Sequence, residues 1–157
     1  ILLGAGMSSD AGDLIAPEAA GMARAMRAAL ADAGIEAERV DYVNAHGTGT
    51  LDNDRLESRA IIDVLGAAAE KVSVSSTKSM IGHLISAAGA VEAIGAIACM
   101  ERGMVHPTIN LTEPDPACDL DYVPNEARRW QPTAAMSNSF GLGGHNATVV
   151  FRAYPSI

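Results

Sequence analysis

The chain has 157 residues, 48% hydrophobic and only 4% aromatic, a composition that suits one globular domain with an aliphatic core. Its 19 acidic residues against 11 Lys and Arg give a formal charge of -8, and no basic run exceeds the pair Arg128 and Arg129; this argues against a nucleic-acid surface, which needs clustered cations to neutralise phosphates. No apolar stretch reaches the ~18 residues of a membrane span and no basic n-region opens the chain, so small soluble substrates or protein partners in the cytoplasm are expected.

In chain order, Ile1 to Gly6 reads as a short strand, entered without a methionine as if from the middle of something longer. Met7 to Ala16 is polar and Gly-containing, hence a loop. Pro17 to Gly34 reads as a helix: Pro17 suits a first turn, Met22, Met26 and Leu30 recur at four-residue spacing, and Gly34 fits the stop. Val40 to Ala45 is a buried-strand candidate. Asn53 to Leu65 is a second helix, started by Asp52 or Asn53 and ended by Gly66. Val72 to Ser76 is another short strand. Ala87 to Arg102 is apolar nearly all round, with no charge across Val91 to Met100 apart from Glu92, and is expected to be a central buried helix closed by Gly103. A proline-rich connector, His106 to Pro124, leads to two strands, Ala134 to Ser137 and Ala147 to Arg152, flanking the turn FGLGGHN. No repeat or linker divides the chain, and the alternation predicts one α/β layer domain.

Four stretches have the residue types for chemistry. In AHGTGT, His46 offers a hydrogen bond and Thr48 and Thr50 offer hydroxyls to a ligand; the same residues also make an ordinary polar turn capping the next helix. In STKSMIGHLISAAGAVEA, Lys78 lies five residues before His83, and a nearby lysine lowers an imidazole pKa and keeps it neutral, a hydrogen-bond donor rather than a cation. An exposed lysine and a core histidine fit that spacing too. Glu92 is either the carboxylate that balances Lys78 or a solvated charge. His46 and His83 each follow a short apolar strand, so strand ends on one side of a sheet are expected to bring them together.

In NSFGLGGHN, Gly141, Gly143 and Gly144 allow a mobile loop whose N–H groups face an oxyanion, with Phe140 or Leu142 as an apolar plug, or simply a hairpin. His106 and His145 read as structural or surface residues. Two cysteines without CxxC spacing support neither a disulfide framework nor a zinc site, and no metal is expected. Cys99, inside an apolar helix, reads as inert, and Asp115, Asp119 and Asp121 disfavour a thiolate at Cys118.

Taken together, VNAHGTGT, SSTKSMIGHLISAAGAVEAI, HPTINLTEPDPACDLDYVPNEAR and SNSFGLGGHNATVVF, in this order, closely resemble the C-terminal half of elongating β-ketoacyl-acyl-carrier-protein synthases, across essentially residues 1–157. The resemblance implies half of a thiolase-like αβαβα sandwich and a decarboxylative Claisen condensation in fatty-acid or polyketide synthesis. It implies that His46 and His83 donate to the malonyl thioester oxygen, with Lys78 tuning them and Glu92 as its ionic partner. Thr48 and Thr50 would hold the 4'-phosphopantetheine arm of acyl carrier protein, which carries the substrates; no cofactor of the protein's own is implied. Phe140, Gly141, Leu142 and Gly143 would form the oxyanion hole and acyl gate, where the family commonly has FGFGG and this chain has Leu142 at the second aromatic position.

The same resemblance implies a homodimer and an N-terminal half holding the nucleophilic cysteine, whose motif neither Cys99 nor Cys118 matches. The chain alone is therefore expected to be catalytically silent, and its partner-facing surface apolar. Lys78→Ala is expected to suppress condensation with the fold intact. A non-catalytic, chain-length-factor-like subunit, or more weakly a generic carrier-protein-binding module, is the alternative; retention of His46, Lys78 and His83 favours the enzyme.

Overall fold

The computed structural model describes residues 1–13 and 16–154. One five-stranded sheet organises the chain, built from β1 (Leu2–Ser9), β2 (Tyr42–Asn44), β3 (Ser73–Ser75), β6 (Ala134–Gly141) and β7 (His145–Arg152) in the order β1-β7-β6-β2-β3. Strand β7 pairs antiparallel with both β1 and β6, whereas β6, β2 and β3 run parallel, with Asn44 level with both Ser75 and Ser137. All three residues of β2 and of β3 are buried, as expected for short parallel strands covered on both faces.

Helices α1 (Ala19–Ala33) and α2 (Leu51–Leu65) cover one face, where Met22, Met26, Val43, Ile61, Val74 and Met136 share a core. The approach of α1 to the sheet is close enough to demand glycine: a Cβ on Gly6 would sit 2.2 Å from the Ala25 carbonyl oxygen. Helix α4 (Ala88–Arg102) covers the other face, where Ala96, Cys99 and Met100 meet Tyr42, Ala135 and Phe151. The layers are therefore helix, sheet, helix, one half of a thiolase-like sandwich. Gly34 and Gly103 end α1 and α4 with φ of 63° and 60°, a left-handed conformation that glycine adopts without the Cβ clash.

Several sequence expectations are corrected. Met7 to Ser9 belong to β1, not to a loop, because Ala147, Asn146 and His145 of β7 offer them a ladder that no local pattern reveals. Of the expected loop, Leu14 and Ile15 lie outside the described residues. Helix α1 begins at Ala19, after Glu18 in an extended conformation. Strand β6 runs on to Gly141 and β7 starts at His145, leaving only Leu142 to Gly144 as the turn, with φ of 76° at Gly143 and 69° at Gly144. The connector is tied back by two short strands, β4 (Met104–Val105) and β5 (Arg128–Arg129).

The helix expected to be buried all round is buried on one side only. Ala88, Glu92, Ala96, Cys99 and Met100 face the sheet, while Ile94 and Ile97 are 66% and 37% exposed. An apolar pattern without a polar side says that a helix is covered twice, and this chain supplies one cover. Among the described residues no helix is long and apolar enough to cross a membrane.

Candidate active site

The parallel register brings the motif-bearing segments to one edge of the sheet. Chains leaving β2, β3 and β6 emerge there together, so His46, the short helix α3 (Lys78–Ile81) with His83 after it, and Phe140 converge. The ends of parallel strands are where α/β folds build sites, since the side chains arrive from several strands without having to cross the core.

The His46 and His83 ring centroids are 5.4 Å apart and nearly perpendicular, and the Phe140 ring lies 5.7 Å from His46. His83 Nδ1 accepts the Ile85 backbone N–H at 3.1 Å, so its proton sits on Nε2, free to donate. His46 Nδ1 is buried and has no hydrogen-bond partner among the described residues. Burial, then Lys78, then His83 push the His46 pKa down to about 3, which keeps this imidazole uncharged at neutral pH.

Lys78 and Glu92 form a buried ion pair, joining α3 to α4. Glu92 Oε2 is left without a partner among the described residues, and burial raises the carboxyl pKa against the opposing effect of Lys78. The lysine is thus a fixed positive charge behind the histidine pair, held in a dry setting where its field is weakly screened.

The backbone around His46 is fixed by a residue that the sequence reading does not single out. Glu57 of α2 accepts the His46 N–H at 2.8 Å and the Gly47 N–H at 2.9 Å, and the Asn138 side chain at 3.1 Å. Its carboxyl is fully buried and desolvation raises its pKa against these bonds. The available signal was spacing: Glu57, Ile61 and Leu65 lie four apart on the buried face of α2, an acid in line with two apolar residues. Gly47 must be glycine, with φ of 45° and no room for a Cβ beside Ser76 at 2.6 Å.

Thr48 and Thr50 exchange a hydroxyl contact of 2.9 Å and line, with Lys78 and His83, a cavity of about 490 Å³. Phe140 to Gly143 lie outside that lining, and Leu142 is 73% exposed. Cys118 lines the cavity wall, half-buried. Cys99 is buried and its thiol pKa is raised by that burial, the condition of an inert cysteine. His145 is exposed, while His106 is drawn into a polar cluster around Tyr42.

Comparison with known proteins places the sequence and the fold. A family model described as "Beta-ketoacyl synthase, C-terminal domain" matches residues 1–112. The chain belongs to the β-ketoacyl synthase family. It is 52% identical over 151 residues to 3-oxoacyl-acyl-carrier-protein synthase 2 of Coxiella burnetii, covering 95% of this chain and 36% of that protein. It is 50% identical to Nodulation protein E of a Rhizobium species, covering 96% of this chain and 38% of the relative. Among solved structures, the ishigamide ketosynthase/chain length factor superposes with a TM-score of 0.94 at 44% identity, over 98% of this chain and 38% of that one. A ketosynthase bound to a hexaketide, in complex with its type II polyketide synthase acyl-carrier protein, superposes at 0.95 with 40% identity and the same coverage. The chain therefore spans little more than a third of the length of these family members, and the relatives extend the match past residue 112 to the FGLGGHN turn.

The low His46 pKa has a consequence for stability. Below pH 6.5 the unfolded chain takes a proton on this imidazole and the folded chain does not, so stability is lost as pH falls from about 6.5 towards 3, by about 1.4 kcal/mol per pH unit at most. Replacing His46 by Gln should flatten this acid loss; urea unfolding at pH 7, 5.5 and 4.5 reads it, and identical slopes in both proteins would contradict the buried neutral imidazole.

Proposed function

We propose that this chain supplies the malonyl-decarboxylating part of a β-ketoacyl-acyl-carrier-protein synthase. The observation that carries the reading is the convergence of His46 and His83 from two separate strand ends, 5.4 Å apart between ring centroids, in front of the buried Lys78–Glu92 pair.

The malonyl thioester arrives on the 4'-phosphopantetheine of acyl carrier protein, whose arm lies along Thr48 and Thr50 where the glycines bring the backbone close. The thioester oxygen receives hydrogen bonds from His46 and from His83 Nε2. As CO2 leaves, the electrons of the broken C–C bond move onto that oxygen, and two neutral donors backed by a fixed lysine charge stabilise the enolate that forms. The enolate carbon then attacks the carbonyl of an acyl group held as a cysteine thioester; the new C–C bond displaces the thiolate and leaves a 3-oxoacyl chain on the carrier protein. The acyl-accepting cysteine comes from an N-terminal half, since Cys99 is buried with a raised pKa and Cys118 stands beside Asp115 and Asp119. The backbone N–H of Leu142 serves the second oxyanion, and its side chain, smaller than phenylalanine, gives a looser acyl gate.

The open apolar face of α4, with Ile94 and Ile97, supports docking against that N-terminal half, in a homodimeric cytoplasmic enzyme. A non-catalytic, chain-length-factor-like subunit would have no chemical need for His46, Lys78 and His83 together.

Two measurements test the reading. The 157-residue chain mixed with an acyl-coenzyme A donor should show no acyl adduct on Cys99 or Cys118 by mass spectrometry. Joined to the preceding portion of the Coxiella burnetii relative, it should release CO2 from malonyl-carrier protein and yield a 3-oxoacyl product. A folded chimera that binds carrier protein and releases no CO2 would count against the proposal.

A further inference from the structure

A knot of polar side chains, buried except for the half-buried His106, joins the strands that lead to the histidine pair, and the decarboxylation chemistry leaves it unused. Tyr42 and Asn44 come from β2, Ser75 from β3, Thr77 from the residue before Lys78, and His106 from the connector. Thr77 Oγ1 donates to Asn44 Oδ1 at 2.7 Å, and Asn44 Nδ2 donates to Ser137 Oγ at 3.3 Å.

The proton directions follow from the partners. His106 Nδ1 lies 3.2 Å from both the Pro107 carbonyl and Ser75 Oγ; the carbonyl can only accept, so Nδ1 carries the proton, Ser75 Oγ is a second acceptor for it, and Nε2 is an acceptor. Two hydroxyls reach Nε2: Tyr42 at 2.9 Å and Thr77 at 3.1 Å. Ser75 Oγ, 2.9 Å from the Tyr42 oxygen, donates to it; the Tyr42 proton then faces two acceptors, His106 Nε2 at 2.9 Å and Asn44 Oδ1 at 3.5 Å, and the shorter contact takes it. With Nε2 filled, the single Thr77 proton goes to Asn44.

On the β3 side that bond lies past the end of the backbone ladder: Asn44 is still level with Ser75, whereas Thr77 is two residues beyond it. The last main-chain tie between these segments is Ala45 N–H to the Ser75 carbonyl at 2.9 Å. Beyond it, one branch leads to His46 and the other to Lys78 and His83. The Thr77 carbonyl also accepts the Met80 N–H at 3.0 Å, closing the first turn of α3.

We infer that Thr77 is a positioning residue: its hydroxyl, directed to Asn44 because Tyr42 occupies His106, fixes the Lys78 and His83 branch relative to His46. The inference rests on the site reading proposed above. Thr77 touches no substrate; it acts through the spacing of the residues that do, and a misplacement of the order of an ångström is enough to slow a reaction.

The test is CO2 release from malonyl-carrier protein by the complete synthase. Thr77→Val, which keeps the shape and removes the hydroxyl, should lower kcat about tenfold with KM within about twofold, and Thr77→Ser should restore kcat to within about twofold of the wild type. Tyr42→Phe frees His106 Nε2 to compete for the Thr77 proton and should cost about threefold, and the double variant should be no slower than Thr77→Val, because both act through one bond. A Thr77→Val enzyme with wild-type kcat, a Thr77→Ser enzyme as slow as Thr77→Val, or losses that multiply in the double variant would overturn the inference. If Thr77→Val does not fold, Tyr42→Phe decides alone, and an unchanged kcat overturns it. A wild type that releases no CO2 overturns the functional reading and this inference with it.

Discussion

Lys78→Ala in the complete synthase should slow CO2 release from malonyl-carrier protein by roughly 10²–10³-fold, as expected when a preorganised charge is removed from a dry site. It should also weaken the fold, contrary to the expectation from sequence that this change leaves the fold intact. Lys78 and Glu92 are both buried, with side chains 5% and 3% exposed, and removing the lysine strands a carboxylate that has no other partner among the described residues. Breaking such a pair from one side costs about 3–5 kcal/mol. The cost should shrink at acid pH, since the Glu92 carboxyl, already raised by burial, relieves the strain by taking a proton. Lys78→Met combined with Glu92→Leu separates the two effects: an apolar pair of similar volume should recover the urea midpoint but not the rate. Recovery of CO2 release by that double variant would remove Lys78 from the chemistry.

The second large effect belongs to the histidines. His46→Ala and His83→Ala should each slow CO2 release about 10²-fold with little change in KM, since each removes a donor used when charge develops on the oxygen. The pair acts on one atom, so the double variant should be slowed about 10³-fold, less than the roughly 10⁴-fold product of the two losses. Because the His46 pKa is about 3, its protonation should put no acid limb on the rate between pH 5 and 8. Restoration of activity to His46→Ala by lowering the pH, or a wild-type limb near pH 6 that His46→Gln abolishes, would contradict a neutral donor at this position.

Much of this was legible because strand, helix and turn signals are local. The apolar runs ending at Asn44 and Ser75, the Gly stops at Gly34 and Gly103, and a histidine after each of two short strands point to strand ends on one edge, where the rings meet. What was not legible depends on residues far apart in sequence. Met7 to Ser9 form strand only because β7 lies alongside. Glu57 reaches His46 across 11 positions and Asn138 across 81, and the Tyr42, His106 and Thr77 contacts exist only in the parallel register of β2 with β3. The all-round apolar character of α4 tells of two covers but not which side this chain leaves open. Phe140 was legible as a neighbour of the site, whereas the exposure of Leu142 was not.

That two imidazoles share one thioester oxygen is tested most directly by a crystal structure of the complete synthase holding a non-decarboxylating malonyl-pantetheine analogue. The carbonyl oxygen is predicted to lie about 2.7–3.2 Å from a ring nitrogen of both His46 and His83, with the pantetheine arm against Thr48 and Thr50. A carbonyl oxygen held by backbone N–H groups, or by one histidine with the other more than ~4 Å away, would contradict it.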